Sequence, residues 1–136
     1  MKRRLARETA LKVIYQWDVG KNDLEIALKD RIAEVDLDPN NINFIETLVQ
    51  GTLKNIEEID QVIEQYLMEW SLDRVSSIDR NILRLGVFEI LFKEDTPDKV
   101  AVNEAIELAK VFSTDQSAKF INGVLDKVLK FKNDAK

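Results

Sequence analysis

Apolar residues recur at three- and four-residue intervals along almost the whole chain, and only four Gly and two Pro interrupt 136 positions. That spacing is the period of helices with one buried face, and it leaves little room for strands. Seven helical segments follow. Residues ~3–18 place Ala6, Ala10, Val13, Ile14 and Trp17 on one face, and residues ~24–34 carry Leu24, Ala27, Leu28 and Ile32. Asp38 before Pro39 reads as an N-cap with Pro at the first helical position. It opens a helix with Ile45, Leu48, Val49, Thr52 and Leu53 on one side. Asn55, with Glu58 three residues on, resembles a capping box. It starts the cleanest amphipathic stripe: Ile56, Ile59, Val62, Ile63, Tyr66, Leu67 and Trp70. Ser76 or Ser77 starts a helix to about Phe92, and two more span ~99–112 and ~116–131. Asn122–Gly123 is a hairpin signal on its face. The flanking apolar residues keep helical spacing through Val128, so a helix is expected there, with Gly123 allowing close helix contact. The stretch 70–77 reads as the joint between two halves.

The helix at 77–92 stands apart. Ile82, Leu83, Leu85, Val87, Phe88, Ile90, Leu91 and Phe92 leave no continuous polar face in its second half. A helix apolar all round is a buried one, so this is the expected central element. Glu89 lies within that run and needs a partner or a proton. Arg84 or a helix N-terminus is a candidate partner. The functional alternative for Glu89 is an acid with a raised pKa, for which no second catalytic group is identifiable.

Composition narrows the chemistry. The chain contains no Cys and no His. Disulfides, thiol nucleophiles, imidazole bases and His- or Cys-held metals are therefore absent from its repertoire. The four glycines are far apart, so no glycine-rich phosphate loop forms. We expect a binding protein rather than an enzyme, with no cofactor and no metal. No apolar run is long enough to span a bilayer, and no secretory leader pattern is present, so no membrane association and a cytoplasmic location are expected.

Charge is uneven. The net charge is −5, yet residues 1–12 hold Lys2, Arg3, Arg4, Arg7 and Lys12 against Glu8 alone. A basic end on an acidic body hints at nucleic acid. On a helical wheel Arg4, Arg7, Leu11 and Tyr15 share one side, roughly 130° from the stripe of Ala6, Ala10, Val13 and Trp17. Guanidinium groups for phosphates and an aromatic face for a base suit single-stranded RNA, although an ordinary solvated helix start has the same composition.

The blocks RRLARETALKVIYQWD, FIETLVQGTLKNIEEID, IDRNILRLGVFEI and PDKVAVNEAIELAKVFSTDQSAKFINGVLDKVL resemble the NusB transcription antitermination family over roughly residues 3–130. NEAIELAK and KFINGVLD at this spacing are the most specific of them. The resemblance implies an all-α fold of about seven helices: a single domain over 1–136 made of two packed sub-bundles, about 1–54 and 55–136. It implies a non-catalytic factor that binds the boxA element of nascent RNA together with NusE, the small-subunit ribosomal protein that doubles as a transcription factor. Through that complex it joins RNA polymerase and other Nus factors, notably on ribosomal RNA operons.

Carried over by position, the basic motif falls on Arg3, Arg4 and Arg7 with Lys2 just ahead, and the RNA surface continues at Asp115, Ser117, Lys119 and Phe120. Tyr15 matches a position at the RNA and partner surface, and Asp79 an acidic position facing NusE. The basic arm here is shorter than in many relatives. Phe120 also suits a core position, Asp115 an N-cap for the last helix, Ser117 a cap or packing role, and Asn103–Glu104 an ordered helix junction. If Arg3, Arg4, Arg7 and Lys119 neutralise about four phosphates, the salt slope is about −3. Rival readings are an RNA-binding accessory domain of the kind fused to ribosomal RNA methyltransferases, a small carboxylate enzyme built on Glu89, and a structural homodimer. The family contains both monomers and dimers.

Overall fold

The computed structural model describes residues 2–68 and 71–134. Seven α-helices and one short 3-10 turn account for nearly all of them, with no strand among the described residues. The chain divides into two compact units, Met1–Lys54 and Asn55–Lys136.

The first unit contains α1 (Lys2–Asp18), α2 (Leu24–Glu34) and α3 (Pro39–Lys54). Helix α1 packs against both α2 and α3. Its buried face is accordingly wider than a single stripe: Ala6, Arg7, Thr9, Ala10, Leu11, Val13 and Ile14. This corrects the helical-wheel reading, in which Arg7 and Leu11 lay on an open side; with two neighbours, α1 has two covered sides. Trp17, expected in the core, is only half-buried. Asp23 caps α2 by accepting from Ile26 N–H at 3.1 Å. Arg31 of α2 donates through Nε to Gln16 Oε1 of α1 at 2.6 Å. Asp38 precedes α3 and accepts from Asn41 Nδ2 at 2.7 Å. That bond is the main reason its carboxyl is held below the ordinary value.

The second unit contains α4 (Ile56–Gln65), the 3-10 turn Leu72–Arg74, α5 (Ser77–Phe92), α6 (Asp98–Phe112) and α7 (Asp115–Asp134). Helix α5 is the centre of the unit and touches α4, α6 and α7. Every residue from 81 to 90 is buried, as an all-round apolar helix requires. The cross-link to α4 is ionic. Arg84 donates to Asp60 through Nε at 2.9 Å and Nη2 at 3.0 Å, and through Nη1 to Asn81 Oδ1 at 3.0 Å. Glu89 is 3% exposed and is not without a partner.

Four local expectations need correction. Asn55 makes no side-chain cap bond: its φ and ψ are −109° and 19°, not the extended conformation a capping side chain needs, because α3 ends only one residue earlier. Helix α4 closes at Gln65, where Tyr66 N–H turns back to Ile63, so Tyr66 and Leu67 follow the helix; Trp70 lies outside the described residues. The boundary between units falls at 54/55, not within 70–77. Leu72 and Val75 are buried, and the turn at 72–74 packs on α4 inside the second unit. Gly123 is not the close-contact glycine: a Cβ built there meets nothing within 4 Å. Gly86 is. Its Cβ would lie 3.1 Å from Leu125 Cδ1 and 3.6 Å from Ala105 Cβ, so its bare backbone lets α6 and α7 close on α5.

Candidate functional site

The expected site residues fall into a group on each unit. In the first unit, Lys2 and Arg4 are exposed, Arg3 is half-buried, and Tyr15 is 37% exposed. Arg7 is only 5% exposed. Its guanidinium stands 5.0 Å from the centroid of the Phe44 ring, and that of Arg3 stands 4.1 Å from it. Two cations thus share one aromatic ring of α3, a contact that orients both guanidinium groups. Phe44 was not singled out from the sequence. It reads there as one more apolar position of an amphipathic helix, and nothing in the linear order pairs it with residues 3 and 7. First-turn cations oppose the helix dipole, and α1 has no acidic residue in its first turn.

In the second unit, α7 begins at Asp115, so the capping residue is Thr114 and not Asp115. Thr114 Oγ1 accepts from Ser117 N–H at 2.9 Å, one of the donors that a helix start leaves open. The signal was present as Thr-x-x-Ser, but the neighbouring acid was the more conspicuous candidate. Asp115 and Lys119 are exposed, while Ser117 and Phe120 are half-buried. Lys119, Asp115 and Asn122 line a cleft of about 420 Å³ with Lys110, Ile106 and Ala118.

Asp79 is 7% exposed and lies at the start of α5, where Ser76 Oγ accepts from its N–H at 3.2 Å. Its Oδ2 accepts from Ser117 Oγ at 2.8 Å. Asp79, Ser117 and Phe120 border one open cleft of about 330 Å³, together with Arg74, Ser76 and Gln116. The family resemblance assigns Asp79 to a partner surface and Ser117 to a nucleic-acid surface; here they are bonded to each other. Arg74, Ser76 and Gln116 were not anticipated as lining residues.

Among the described residues no group of three or more acidic side chains converges as a metal site would require. No helix among them is long and apolar enough to cross a membrane. Half-buried aromatics, exposed cations and hydroxyl chains can hold a phosphodiester strand and stack its bases.

Comparison with known proteins bears on what is held. The model of the NusB family matches residues 4–130. The transcription antitermination protein NusB of Desulforamulus reducens is 48% identical over 135 residues, spanning 99% of this chain and 94% of that protein. NusB of T. maritima superposes with a TM-score of 0.86 at 38% identity, covering 94% of this chain and 90% of that one. A chain in a crystal structure of the antitermination factors NusB and NusE in complex with double-stranded RNA superposes with a TM-score of 0.87 at 32% identity. The coverage there is 95% of this chain and 96% of that one.

Proposed function

The chain belongs to the NusB family, and from that premise we propose that it is a transcription antitermination factor that binds boxA-type RNA together with NusE. In that role it joins the RNA polymerase complex with other Nus factors, notably on ribosomal RNA operons, and works in the cytoplasm without catalysing a reaction. The observation that carries this reading is the near full-length likeness to a chain crystallised with NusE and RNA.

The division of labour follows from exposure. Lys2 and Arg4 of the first unit and Lys119 of the second are exposed cations that meet phosphates, and half-buried Arg3 lies between Lys2 and Arg4 on α1. Tyr15 and Phe120 present ring surface for a base. Arg7 supports the basic helix start through Phe44, and Ser117 and Asp115 shape the start of α7. Asp79 lies on the partner's side, where the acidic body attracts a basic ribosomal protein and raises the association rate.

Fluorescence anisotropy of a labelled boxA RNA, with and without NusE at two salt concentrations, tests the reading. The RNA of the relative's crystal structure is double-stranded, so a single strand and a duplex of the same sequence are compared. Weak, salt-sensitive binding that tightens and becomes sequence-selective with NusE is expected. No binding by folded protein in any arm refutes the reading.

A further inference from the structure

We propose that Asp79 is a positioning residue for RNA binding. Through Ser117 it anchors the first turn of α7, which carries Lys119 and Phe120. The proposal rests on the RNA-binding reading above and adds to Asp79 a task distinct from meeting a partner.

The bonding pattern fixes the direction of the chain. Ser117 Oγ has one proton, and the nearby carboxylate oxygen, Asp79 Oδ2 at 2.8 Å, can only accept it when ionised. Ser117 Oγ therefore accepts from its other neighbours, Ser113 Oγ at 2.9 Å and Thr114 Oγ1 at 3.1 Å. Two hydroxyls thus converge on a third, which alone donates to the carboxylate, and the incoming bonds strengthen the outgoing one. Thr114 Oγ1 also accepts from Ser117 N–H, so the same chain contains the cap of α7.

Both ends of this link differ in rigidity. Asp79 occupies the third position of α5, whose following residues 81–90 are all buried. A Glu or Gln at that position commonly turns back to the cap residue's N–H, and Asp79 has a shorter side chain. Asp79 reaches sideways to α7, and its second oxygen, Oδ1, is buried without a hydrogen-bond partner among the described residues. A buried acceptor left open is costly, which argues that the orientation toward Ser117 serves a purpose. The first turn of α7, in contrast, has exposed residues at 114–116 and 119, and terminal turns of this kind open readily. Lys119 and Phe120 follow Ser117 by two and three residues. A rotation of the turn therefore swings both away from any strand they hold.

Four variants test the link: Ser117→Ala, Asp79→Ala, Asp79→Asn and the double alanine variant, with Asp126→Asn at an exposed position of α7 as control. RNA affinity is read by anisotropy without NusE, and amide exchange at 115–120 by NMR. Ser117→Ala and Asp79→Ala should each weaken RNA binding about tenfold, equivalent to about 1.4 kcal/mol, and speed exchange in the turn by a similar factor. The double variant should be no worse than either single one. Asparagine keeps an acceptor for Ser117, so Asp79→Asn should recover most of what alanine loses.

Unchanged affinity and exchange in Ser117→Ala overturns the proposal, as does additivity in the double variant. An Asp79→Asn protein as weak as Asp79→Ala also overturns it, because charge rather than the bond to Ser117 would then be at work. Should the parent protein bind no RNA either alone or with NusE, the antitermination reading falls. The exchange comparison then decides the anchor by itself: faster exchange supports it and unaltered exchange removes it.

Discussion

Replacing Arg84 with methionine should cost the second unit about 3 kcal/mol, and removing its partner as well should restore most of that. Three hydrogen bonds converge on the guanidinium, two of them a fork onto Asp60 at 2.9 and 3.0 Å. The Arg84 side chain is 8% exposed and that of Asp60 23%. Breaking a buried pair by deleting one member costs ~3–5 kcal/mol, because the charge left behind has lost both water and partner. Asp60 is the better solvated of the two and can recover some water, which puts Arg84→Met at the lower end, about 3 kcal/mol. In Arg84→Met/Asp60→Leu no charge is stranded, so stability should return to within about 1 kcal/mol of the parent. Urea unfolding followed by circular dichroism gives both numbers, provided the denaturant slope is unchanged between variants. A cost below about 1 kcal/mol for Arg84→Met would mean that the pair behaves as a surface ion pair. A double variant as unstable as the single one would show that the arginine acts by packing its stem, and the electrostatic reasoning would fail.

Gly86 and Gly123 should respond oppositely. Gly123→Ala meets open space and should gain about 0.8 kcal/mol from helix propensity, whereas Gly86→Val drives a branched side chain into Leu125 and should lose about 2 kcal/mol or more in the same urea assay. Arg4→Ala should flatten the salt slope of RNA binding by about 0.7, as loss of one phosphate contact does; Arg7→Ala should leave the slope nearly unchanged and lower the urea midpoint, because its guanidinium lies over Phe44. For Asp38, the bond from Asn41 holds the folded pKa below the unfolded one. Its stabilising effect is therefore fully present above about pH 4 and disappears as pH falls through the folded value. The gap between Asp38→Ala and the parent should narrow between pH 7 and pH 3.

Regular elements were legible in the sequence because the buried faces are periodic. Leu24–Glu34 and Ser77–Phe92 fall where the apolar spacing and caps put them. The centrality of 77–92 followed from an apolar surface with no polar side to expose. What failed were inferences about partners distant in sequence. A wheel assigns α1 one buried face, but α2 and α3 together cover Arg7 and Leu11 as well. The Asn-Gly pair looked like the place for close approach, yet which glycine sits at a crossing depends on the neighbouring helices and not on local spacing. Likewise a capping box needs an extended cap residue, and Asn55 cannot be extended so soon after α3. At the candidate site, the sequence and the family resemblance supply candidate residues but not their pairings. Nothing local connects Asp79 with Ser117, 38 residues away, or Arg3 and Arg7 with Phe44.

Those pairings change how the site's charges are to be understood. A sequence reading treats every arginine and aspartate near an interface as a contact. Arg7 and Asp79 are instead at least nine-tenths buried, and a buried charge is tolerated only where it is bonded or stacked. Their bonds lead to Phe44 of α3 and to Ser117 of α7, elements adjoining the residues that remain exposed. On the proposed function, exposed Lys2, Arg4 and Lys119 are the cations left for phosphates, and three contacts on a single strand correspond to a slope of about −2 rather than the −3 expected from four. An electrostatic term that small cannot give tight binding in salt. On that proposal, sequence selection falls to the ring faces of Tyr15 and Phe120 and to a partner that adds surface. The same proposal has the buried charges hold their own elements in place before a strand arrives, which lowers the entropy lost on binding.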